Sequence, residues 1–583
     1  MKKVIIGHRG VGKTQFLKRH SVYLEESGVD IRHFDLDHEI EIQLAMTIEE
    51  IFSKKSENYF RQQESEIFKR LIKENKDFVI GLGAGFDLSQ IPTEIEIILI
   101  CRSSDEDGRI FLNRPRLNAK LSSLDEFQER FSQRQTNYFK KASVVYFMPE
   151  GTYAPDPVEK KIITHQFQIK DAYYTLTSAE VLNIDLLKKN YKKIELRSDL
   201  ISEKNIFEIV AADSKFDWLV SVRDENPAFE KLKTRLDYDQ KIKCIPASFE
   251  KYSEMIVSSH LDRVDLAIAA LKPFADNHQK LSPLVENYED LWVGHHWQQE
   301  HPQTRSFLPR SKSGKWLWYR QLSKYTQKIN FVRNFTMLID QPSPYQWLVL
   351  PDKKPKNFAA VLGQPVKNSR SPQVHADFFT NKKTFFTAID LNEAEFLEFQ
   401  PWLCQLGLKF AAVTSPLKKK AYQISNRRNE VVTQFHAANT LVFDKDQIYS
   451  QNTDLEGFKA LIESAQLLAT EKIAVWGGGG TLAMMRSVLP QAHYFSSRSA
   501  TLKDHQMIEE AHFTPDIVIW SAPRLPETKW PVKFWTPRLV IDLNYQENSM
   551  GLEYAQRINC KYISGSKMFQ IQAEEQQKFW SPS

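Results

Sequence analysis

Cysteine is scarce in this chain of 583 residues, which holds only four cysteines in four separate regions. They are Cys101, Cys244, Cys404 and Cys560. Because no two of them are spaced as a pair, the sequence excludes a disulfide scaffold and a cysteine zinc site. Long apolar runs are also missing. None approaches the roughly 18 residues of a membrane span, and the run that ends at Gly7 is too short for a signal peptide. We therefore expect a soluble cytoplasmic protein with no membrane partner.

The sequence also has no marked excess of charge of either sign. Its 78 lysines and arginines nearly balance 73 aspartates and glutamates, which leaves a formal net charge of +5. We therefore expect no nucleic-acid partner, and anionic small substrates suit this balance equally well. The hydrophobic fraction of 42% and the aromatic fraction of 12% exclude a mostly disordered chain. At roughly 150 residues per domain, the length predicts about four domains.

Two linkers divide the chain. A run with three prolines occupies 148–157, and a charged run without apolar residues occupies 351–357. Before the first linker and after the second, short apolar strands alternate with amphipathic helices, which is typical of parallel sheets. The middle alternates in the same way, with several strands at spacings suited to a barrel. We predict an α/β multidomain chain with domains at 1–150, 158–350 and 357–583.

The first segment opens with a phosphate-binding loop. Residues 7–14, GHRGVGKT, fit the pattern G-x-x-x-x-G-K-S/T between an apolar strand and a helix. Gly7, Gly10 and Gly12 let backbone N–H groups close around phosphates. Lys13 can reach the phosphate oxygens, and Thr14 can hold Mg²⁺. This setting predicts a nucleotide site, with a glycine-rich turn beside an exposed lysine as the alternative.

Further motifs follow in order along the same segment. They are Phe34-Asp35-Leu36-Asp37, Phe60-Arg61-Gln62-Gln63-Glu64, Gly83-Ala84-Gly85, Arg114-Pro115-Arg116-Leu117, and Arg134 four residues before Tyr138. Through them the segment resembles shikimate kinase over essentially its whole length. The resemblance implies a P-loop kinase fold that transfers phosphate from ATP with Mg²⁺ to shikimate.

This resemblance also implies roles for single residues. The implied shikimate-binding residues are Asp37, Arg61, Arg134 and Gly85. Asp35 would support Mg²⁺ together with Thr14, and Arg114 would be the lid arginine over the phosphates. Lys13 and Asp37 would be catalytic, since a carboxylate near the attacking hydroxyl orients it, and two arginines suit a carboxylate. The family's Gly-Gly-Gly departs at Ala84, whose methyl lies where the backbone approaches substrate, and the lid stretch is short.

The third segment carries the densest set of motifs. They are GQPVKNSRSPQVH at 363–375, VTSPLK at 413–418, AANTL at 437–441, QNTDLEGF at 451–458, a glycine run at 477–480, and GSKM at 565–568 before Gln572. This segment resembles shikimate dehydrogenase across nearly all of 357–583. The resemblance implies a substrate domain at about 357–465, a Rossmann domain for NADP at about 466–555, and a C-terminal return to the substrate domain.

The dehydrogenase resemblance implies a substrate site and a catalytic pair. The implied substrate-binding residues are Ser369, Ser371, Thr414, Asn439 and Gln572. Lys418 and Asp454 would be the catalytic pair, because a lysine beside an aspartate can supply the proton that a developing alkoxide needs. A surface salt bridge is the alternative for this pair. The family pattern is broken at Asn368, where it has histidine, and at Ala412, where it has asparagine.

The glycine run also indicates a dinucleotide cofactor. Gly477, Gly479 and Gly480 follow an apolar strand and open a helix, as a pyrophosphate site requires. At the end of the next strand stand Ser497 and Arg498 rather than an acidic residue. Arginine and hydroxyls suit a 2′-phosphate, so NADP(H) is favoured over NAD.

The middle segment resembles a type I 3-dehydroquinate dehydratase without its reactive groups. The strand KIELRSD at 193–199 and Arg223 carry this resemblance. The family forms a Schiff base through a lysine, with a histidine as proton carrier. The position assigned to the lysine holds Asp265, and the stretch PASFE at 246–250 lacks the histidine. We therefore expect a degenerate (β/α)8-like barrel without dehydratase activity.

The order of the three segments resembles the C-terminal three domains of the fungal pentafunctional AROM polypeptide. It implies a bifunctional shikimate-pathway enzyme whose small-molecule substrates are 3-dehydroshikimate and shikimate. A shikimate- or quinate-sensing regulator built from the same domains is the alternative, although Lys13, Lys418 and Asp454 are all present. Also open are a slow kinase, a preference for quinate over shikimate, and the oligomeric state.

Overall fold

The computed structural model describes residues 1–112, 118, 120–148, 150, 156–232, 234–241, 255–334, 340–503 and 513–581. The chain forms two compact units. The first comprises Met1–Ser103 and Arg134–Lys354, and the second comprises Ser104–Gln133 and Pro355–Ser583. Among the described residues, no helix has both the length and the apolar character that crossing a membrane requires.

A five-stranded parallel sheet organises the N-terminal part of the chain. The elements here are β1 (Lys2–Ile6), α1 (Lys13–Glu26), β2 (Arg32–Asp35), α2 (Leu36–Leu44), α3 (Ile48–Lys54), α4 (Glu57–Glu74), β3 (Phe78–Gly81), β4 (Glu96–Cys101), α5 (Ser123–Lys141), β5 (Val144–Phe147) and α6 (Pro157–Ile163). The strand order is β2-β3-β1-β4-β5. Strands β1, β3 and β4 are almost wholly buried, as expected for apolar strands covered on both faces.

The rest of the first unit is built on eight strands. Its elements are β6 (Tyr173–Thr175), α7 (Ile184–Asn190), β7 (Lys193–Arg197), α8 (Glu203–Ala212), β8 (Asp217–Val222), β9 (Arg235–Asp239), β10 (Ile256–Ser259), α9 (Val264–Leu271), β11 (His278–Leu281), α10 (Tyr288–Glu300), β12 (Arg305–Phe307), α11 (Leu317–Leu322), β13 (Phe331–Val332) and α12 (Pro344–Leu348). Strands β6 to β12 lie side by side in sequence order, and β13 lies beside β6. The pairs are parallel.

Two sheets form the second unit. Its elements are β14 (Phe358–Gly363), α13 (Ser371–Val374), α14 (Ala376–Asn381), β15 (Phe386–Asp390), α15 (Glu393–Gln405), β16 (Leu408–Val413), α16 (Lys418–Ile424), β17 (Arg427–Arg428), α17 (Glu430–Phe435), β18 (Thr440–Asp444), β19 (Gln447–Gln451), α18 (Asp454–Ser464), β20 (Ile473–Gly477), α19 (Leu482–Val488), β21 (His493–Phe495), β22 (Ile517–Ser521), β23 (Leu539–Asp542), α20 (Met550–Arg557), β24 (Lys561–Ile563) and α21 (Ser566–Trp580). One sheet has the order β15-β14-β16-β18-β19-β17, and the other is parallel in the order β21-β20-β22-β23-β24.

The final helix of the second unit packs on the first of these sheets. Trp580, at the end of α21, is 2% exposed and its ring lies near those of Phe379, Phe386 and Phe410. The sheets described above confirm the prediction of an α/β multidomain chain built on parallel strands. The sequence did not predict that Ser104–Gln133 would group with residues beyond 355.

A buried ion pair joins α1 to α6 within the first unit. The guanidinium of Arg19 donates to both carboxylate oxygens of Glu159, at 2.6 and 2.7 Å, and Glu159 is only 4% exposed. Burial raises the pKa of Glu159, and the charge of Arg19 opposes that rise. Since α1 directly follows the phosphate loop, this pair fixes the helix on which that loop depends.

Replacing Arg19 with leucine should therefore destabilise the first unit. Breaking a buried pair from one side leaves an uncompensated charge and costs about 3–5 kcal/mol. The midpoint of urea unfolding should fall for Arg19→Leu and stay within error for Lys18→Leu, a change at an exposed neighbour on the same helix. Equal midpoints for the two variants would contradict this interpretation of the pair.

Candidate active sites

The phosphate loop lies between β1 and α1. Gly7, Gly10 and Gly12 have φ values of 152°, 75° and 100°, which side chains other than glycine rarely adopt. Lys13 begins α1, and its Nζ donates to the carbonyl oxygens of Gly7 at 2.9 Å and His8 at 3.2 Å. The lysine therefore lies across the loop, at the N-terminus of a helix that favours anions.

A hydroxyl and a carboxylate meet beside this loop. Thr14 Oγ1 donates to Asp35 Oδ2 at 2.8 Å, and Asp35 ends β2. Both are hard oxygen donors of the kind Mg²⁺ prefers, so the residues present fit the predicted metal. Arg114, the predicted lid arginine, lies outside the described residues.

The other predicted kinase residues gather around the turn after β3. A Cβ built on Gly83 would lie 2.8 Å from Glu64 Oε1 and 3.1 Å from Asp37 Oδ1. A Cβ on Gly85 would collide with the guanidinium of Arg61. Arg61 donates from Nη1 to Glu64 Oε2 at 2.7 Å. The structure thus brings Asp37, Arg61 and Gly85 together around Glu64.

Sequence analysis gave Glu64 no role, although this residue is central to the cluster. Its side chain is 2% exposed, and burial raises its pKa while the charge of Arg61 opposes the rise. Arg134 also acts electrostatically on Glu64 and on Tyr138, whose hydroxyl donates to the carbonyl oxygen of Ala84. The sequence signal that could have identified Glu64 is its spacing, because an acid three residues after an arginine lies on the same face of a helix as that arginine.

In the second unit, one buried carboxylate collects three predicted residues. Asp454 is 2% exposed and accepts from Lys418 Nζ at 2.6 Å through Oδ2. Its Oδ1 accepts from Asn439 Nδ2 at 2.9 Å and from Gln572 Nε2 at 2.6 Å. These donors come from α16, from the residue before β18, and from α21. The carboxylate therefore holds a lysine whose side chain is 17% exposed in a fixed orientation.

The remaining predicted substrate residues lie at the same sheet edge. Strands β14 and β16 are parallel, with Leu362 beside Val413, so the loops after them start together. Thr414 follows β16. Its methyl group fills the space that a Cβ on Gly363 would occupy, so the two loops pack closely there. In the loop after β14, Ser371 N donates to Ser369 Oγ at 3.2 Å.

The predicted dinucleotide turn has the required backbone. Gly477, Gly478 and Gly479 have φ values of 103°, 126° and 42°, and added Cβ atoms on Gly479 and Gly480 would meet open space. Such a cradle fits a pyrophosphate at the start of α19. Lys503 Nζ donates to the carbonyl oxygen of Gly477, a contact that sequence analysis did not predict.

Two predicted cofactor residues lie farther along, after β21. The side chain of Arg498 is 75% exposed and only 3.9 Å from Glu527, a loose surface pair. The N–H groups of Arg498 and Ser499 approach Ser496 Oγ at 3.3 Å, while the Ser497 carbonyl oxygen accepts from Lys529 N at 2.7 Å. An exposed guanidinium beside hydroxyls fits the 2′-phosphate of NADP.

The central eight-stranded sheet holds a buried charged cluster that sequence analysis missed. Lys280, on β11, is 3% exposed and its ammonium contacts Asp237 on β9, which is fully buried. Arg223 donates to the same Asp237 oxygen at 2.8 Å and to Ser258 Oγ at 3.2 Å. Burial lowers the pKa of Lys280 to about 8, and the negative charge of Asp237 opposes this change.

A histidine follows the strand next to this lysine. Ser258 of β10 pairs with Lys280 of β11, and His260 comes two residues after Ser258, just past the end of β10, where the charge of Lys280 acts on it. Burial, with the charge of Arg223, lowers the pKa of His260 to about 4, and its Nδ1 lies 3.2 Å from Asp239 Oδ2. The ring is therefore neutral near pH 7.

Asp265, which the dehydratase resemblance places at the lysine position, lies on α9 rather than on a strand, with its side chain 60% exposed and paired to Arg263. The stretch 246–250, where the histidine was sought, lies outside the described residues. The signal that could have found the site was Ser258-Ser259-His260 followed by a lysine on the next apolar strand.

Comparison with known proteins finds family matches within the two outer segments. The shikimate kinase family profile matches residues 9–150, and the profile of the shikimate dehydrogenase substrate binding domain matches residues 361–441. A shikimate kinase from Flavobacterium psychrophilum is 37% identical over 86 residues, which cover 15% of this chain and 47% of that protein. Both domains are therefore present in this chain.

Relatives of the second unit are NADP(+) shikimate dehydrogenases. The one from Bartonella quintana is 32% identical over 132 residues, or 22% of this chain and 45% of that protein. The one from Cereibacter sphaeroides is 26% identical over 246 residues, or 37% and 88%. The chain thus spans about half the length of the first of these relatives. A solved shikimate dehydrogenase from Peptoclostridium difficile, 21% identical, covers 38% of this chain and 91% of its own, with a TM-score of 0.34.

Proposed function

We propose that this chain is a bifunctional shikimate-pathway enzyme. Its second unit reduces 3-dehydroshikimate to shikimate with NADPH, and its N-terminal domain phosphorylates shikimate with ATP and Mg²⁺. The observation that carries the proposal is the carboxylate of Asp454, which accepts from Lys418, Asn439 and Gln572 at once. The matches to both families support it.

We infer separate tasks for the residues of the dehydrogenase site. NADPH supplies the hydride when it is bound on the glycine turn after β20. As the substrate ketone becomes an alkoxide, the ammonium of Lys418 donates a proton to its oxygen, and Asp454 keeps that ammonium aimed. Asn439 and Gln572 orient Asp454 and present polar groups to substrate hydroxyls, while Ser369 and Ser371 suit the substrate carboxylate.

In the kinase domain the residues act mainly by positioning charge. Phosphoryl transfer depends on alignment and electrostatic stabilisation rather than on covalent help. Lys13 lies at the phosphate loop, while Thr14 and Asp35 would hold Mg²⁺. Asp37 would orient the attacking hydroxyl, and Arg61 with Arg134 would bind the shikimate carboxylate. The regulator alternative is not favoured, because a sensor needs none of these transfer groups.

Lys418→Ala should abolish reduction and spare phosphorylation. Loss of a general acid costs about 10²-fold or more in kcat, whereas the kinase residues are untouched. The measurement is substrate-dependent loss of NADPH absorbance, followed by ATP consumption with added shikimate. Lys419→Ala, at an exposed neighbour, is the matched control. If both activities survive in Lys418→Ala, the assignment of the site is wrong.

Asp37→Asn should produce the opposite pattern. The amide cannot accept the hydroxyl proton, so we expect ATP-dependent phosphorylation to fall about 10²-fold or more while NADPH oxidation stays unchanged. Asp30→Asn, at an exposed position before β2, should leave both rates as they are. A kinase rate that is insensitive to Asp37→Asn would remove Asp37 from the mechanism.

A second function is favoured by the buried Lys280 together with His260, whose side chain is 24% exposed. We propose that the central domain is a (β/α)8 barrel able to form an imine with a ketone, which the strand order supports. By its resemblance to a dehydratase, the ketone is 3-dehydroquinate. The order of the three parts supports the likeness to AROM polypeptides, but the central part need not be degenerate.

The chemistry of this second function balances without a cofactor. The neutral amine of Lys280 adds to the ketone carbonyl and water leaves, so that a C=N bond replaces C=O. His260, neutral at pH 7, takes a proton from the adjacent carbon and returns it to the departing hydroxyl, which leaves as water. Hydrolysis of the imine then releases product and the free amine. The lowered pKa of Lys280 makes the neutral amine available near pH 8.

Borohydride should trap 3-dehydroquinate on Lys280. Peptide mass spectrometry should find the reduced adduct at this residue, with a yield that rises up to about pH 8 because protonated lysine cannot attack. Lys280→Met should lose the adduct, and Lys272→Met, at an exposed lysine after α9, should keep it. No adduct, or an adduct on another lysine, would return the central domain to a non-catalytic role.

A further inference from the structure

A segment from the kinase-like part of the sequence is an integral part of the second unit. Arg109 anchors it, with a side chain that is 0% exposed. The guanidinium donates to Asp105 Oδ1 at 2.5 Å, to Ser104 Oγ at 3.1 Å and to Glu547 Oε2 at 2.7 Å. Such a buried cation stays only where carboxylates compensate it, so Arg109 ties 104–112 to the loop that follows β23.

Backbone and apolar contacts extend this anchor. Ile110 N donates to the Glu547 carbonyl oxygen at 2.8 Å, and Gln556 Nε2 donates to the Phe111 carbonyl oxygen at 2.9 Å. The side chains of Ile110 and Leu124 share an apolar cluster with Leu552 of α20. The position of 104–112 is thus fixed against α20 and the loop 543–549.

The exposed tip of the segment reaches the predicted substrate loop. The carboxylate of Asp107 accepts a hydrogen bond from Asn368 Nδ2, and Glu106 lies 3.6 Å from Lys367 Nζ. Asn368 directly precedes Ser369, a predicted substrate-binding residue. The other side of this loop meets the same anchored region, because Tyr545 hydrogen-bonds with Ser369 and its ring lies under Arg370, 5.2 Å from the guanidinium.

We propose that residues 104–112 position the substrate loop of the dehydrogenase, with Asp107 as the positioning residue and Arg109 as its anchor. The inference rests on the proposed reduction of 3-dehydroshikimate by this unit. It also accounts for Asn368, where the sequence departs from the dehydrogenase pattern. An uncharged amide is a suitable donor to Asp107, and the contact holds the residue next to Ser369.

Kinetics of the full chain test this role. Asp107→Ala removes one hydrogen bond at the surface, so the fold should be retained, while the KM for 3-dehydroshikimate should rise about 2- to 10-fold. The kcat should change less than the KM, because Lys418 and Asp454 are not touched. Asp107→Glu should recover part of the loss. Glu129→Ala, an exposed acid on α5, should leave the KM unchanged.

A double-mutant cycle identifies the partner. Asn368→Ala and the double variant Asp107→Ala/Asn368→Ala should raise the KM by the same factor as Asp107→Ala, because all three lack one shared hydrogen bond. A KM for Asp107→Ala equal to that of the wild type, or strictly additive effects, would overturn the proposal.

Calorimetry separates this inference from the proposed function. If the wild type oxidises no NADPH, the proposed reduction fails, and binding of 3-dehydroshikimate, the ligand proposed for the second unit alone, becomes the readout. Weaker binding of 3-dehydroshikimate by Asp107→Ala than by Glu129→Ala would still support the positioning role. Equal binding by both variants would overturn it.

Discussion

Parallel pairing of strands is the constraint on which every candidate site in this chain depends. Parallel strands require crossover connections, so the loops at their carboxyl ends gather along one edge of the sheet. In this way β1 delivers the phosphate loop, β3 delivers the turn with Gly83, and β14 and β16 deliver the loops with Ser369 and Thr414. Where crossover helices cover the faces of a parallel sheet, this edge is left for ligands. The sheet topology therefore determines where functional side chains can gather, whichever residues occupy those loops.

Local motifs could be predicted from the sequence because neighbours along the chain share one turn. The loop from Gly7 to Thr14 is such a case, since a strand, a glycine turn and a helix follow one another without interruption. Contacts across strands are different. Lys280 and Asp237 are 43 positions apart and meet only through the pairing of β9, β10 and β11. The motif that predicts the lysine position falls at Asp265, which lies on a helix with its side chain 60% exposed. Neither the hydrophobic periodicity nor the residue spacing of a sequence indicates which side chains meet across paired strands.

Buried charge recurs through the molecule, and its meaning depends on what surrounds it. The pair Arg19–Glu159 is buried and bidentate, with one acid for one base, which is enough to explain a structural pair. Around Lys280 the balance is different: Asp237 accepts from both Lys280 and Arg223, and a neutral histidine stands nearby. Glu195, a second buried acid, also acts electrostatically on Lys280, and desolvating so many charged groups together is costly for stability. A buried charge cluster that lowers stability in this way is typical of functional sites, where a shifted pKa serves binding or catalysis.

The anchor formed by Arg109 has a consequence for the order in which the protein acquires its structure. Arg109 and Glu547 are separated by 438 positions in the chain, yet they lie in one compact unit. Closing so long a loop costs little more than closing a shorter one, because the entropy grows only with the logarithm of length. Time is the larger constraint: during synthesis, Ile110 and Leu124 cannot pack against Leu552 until that residue has left the ribosome. A fragment that begins at residue 355 would lack the same contacts permanently.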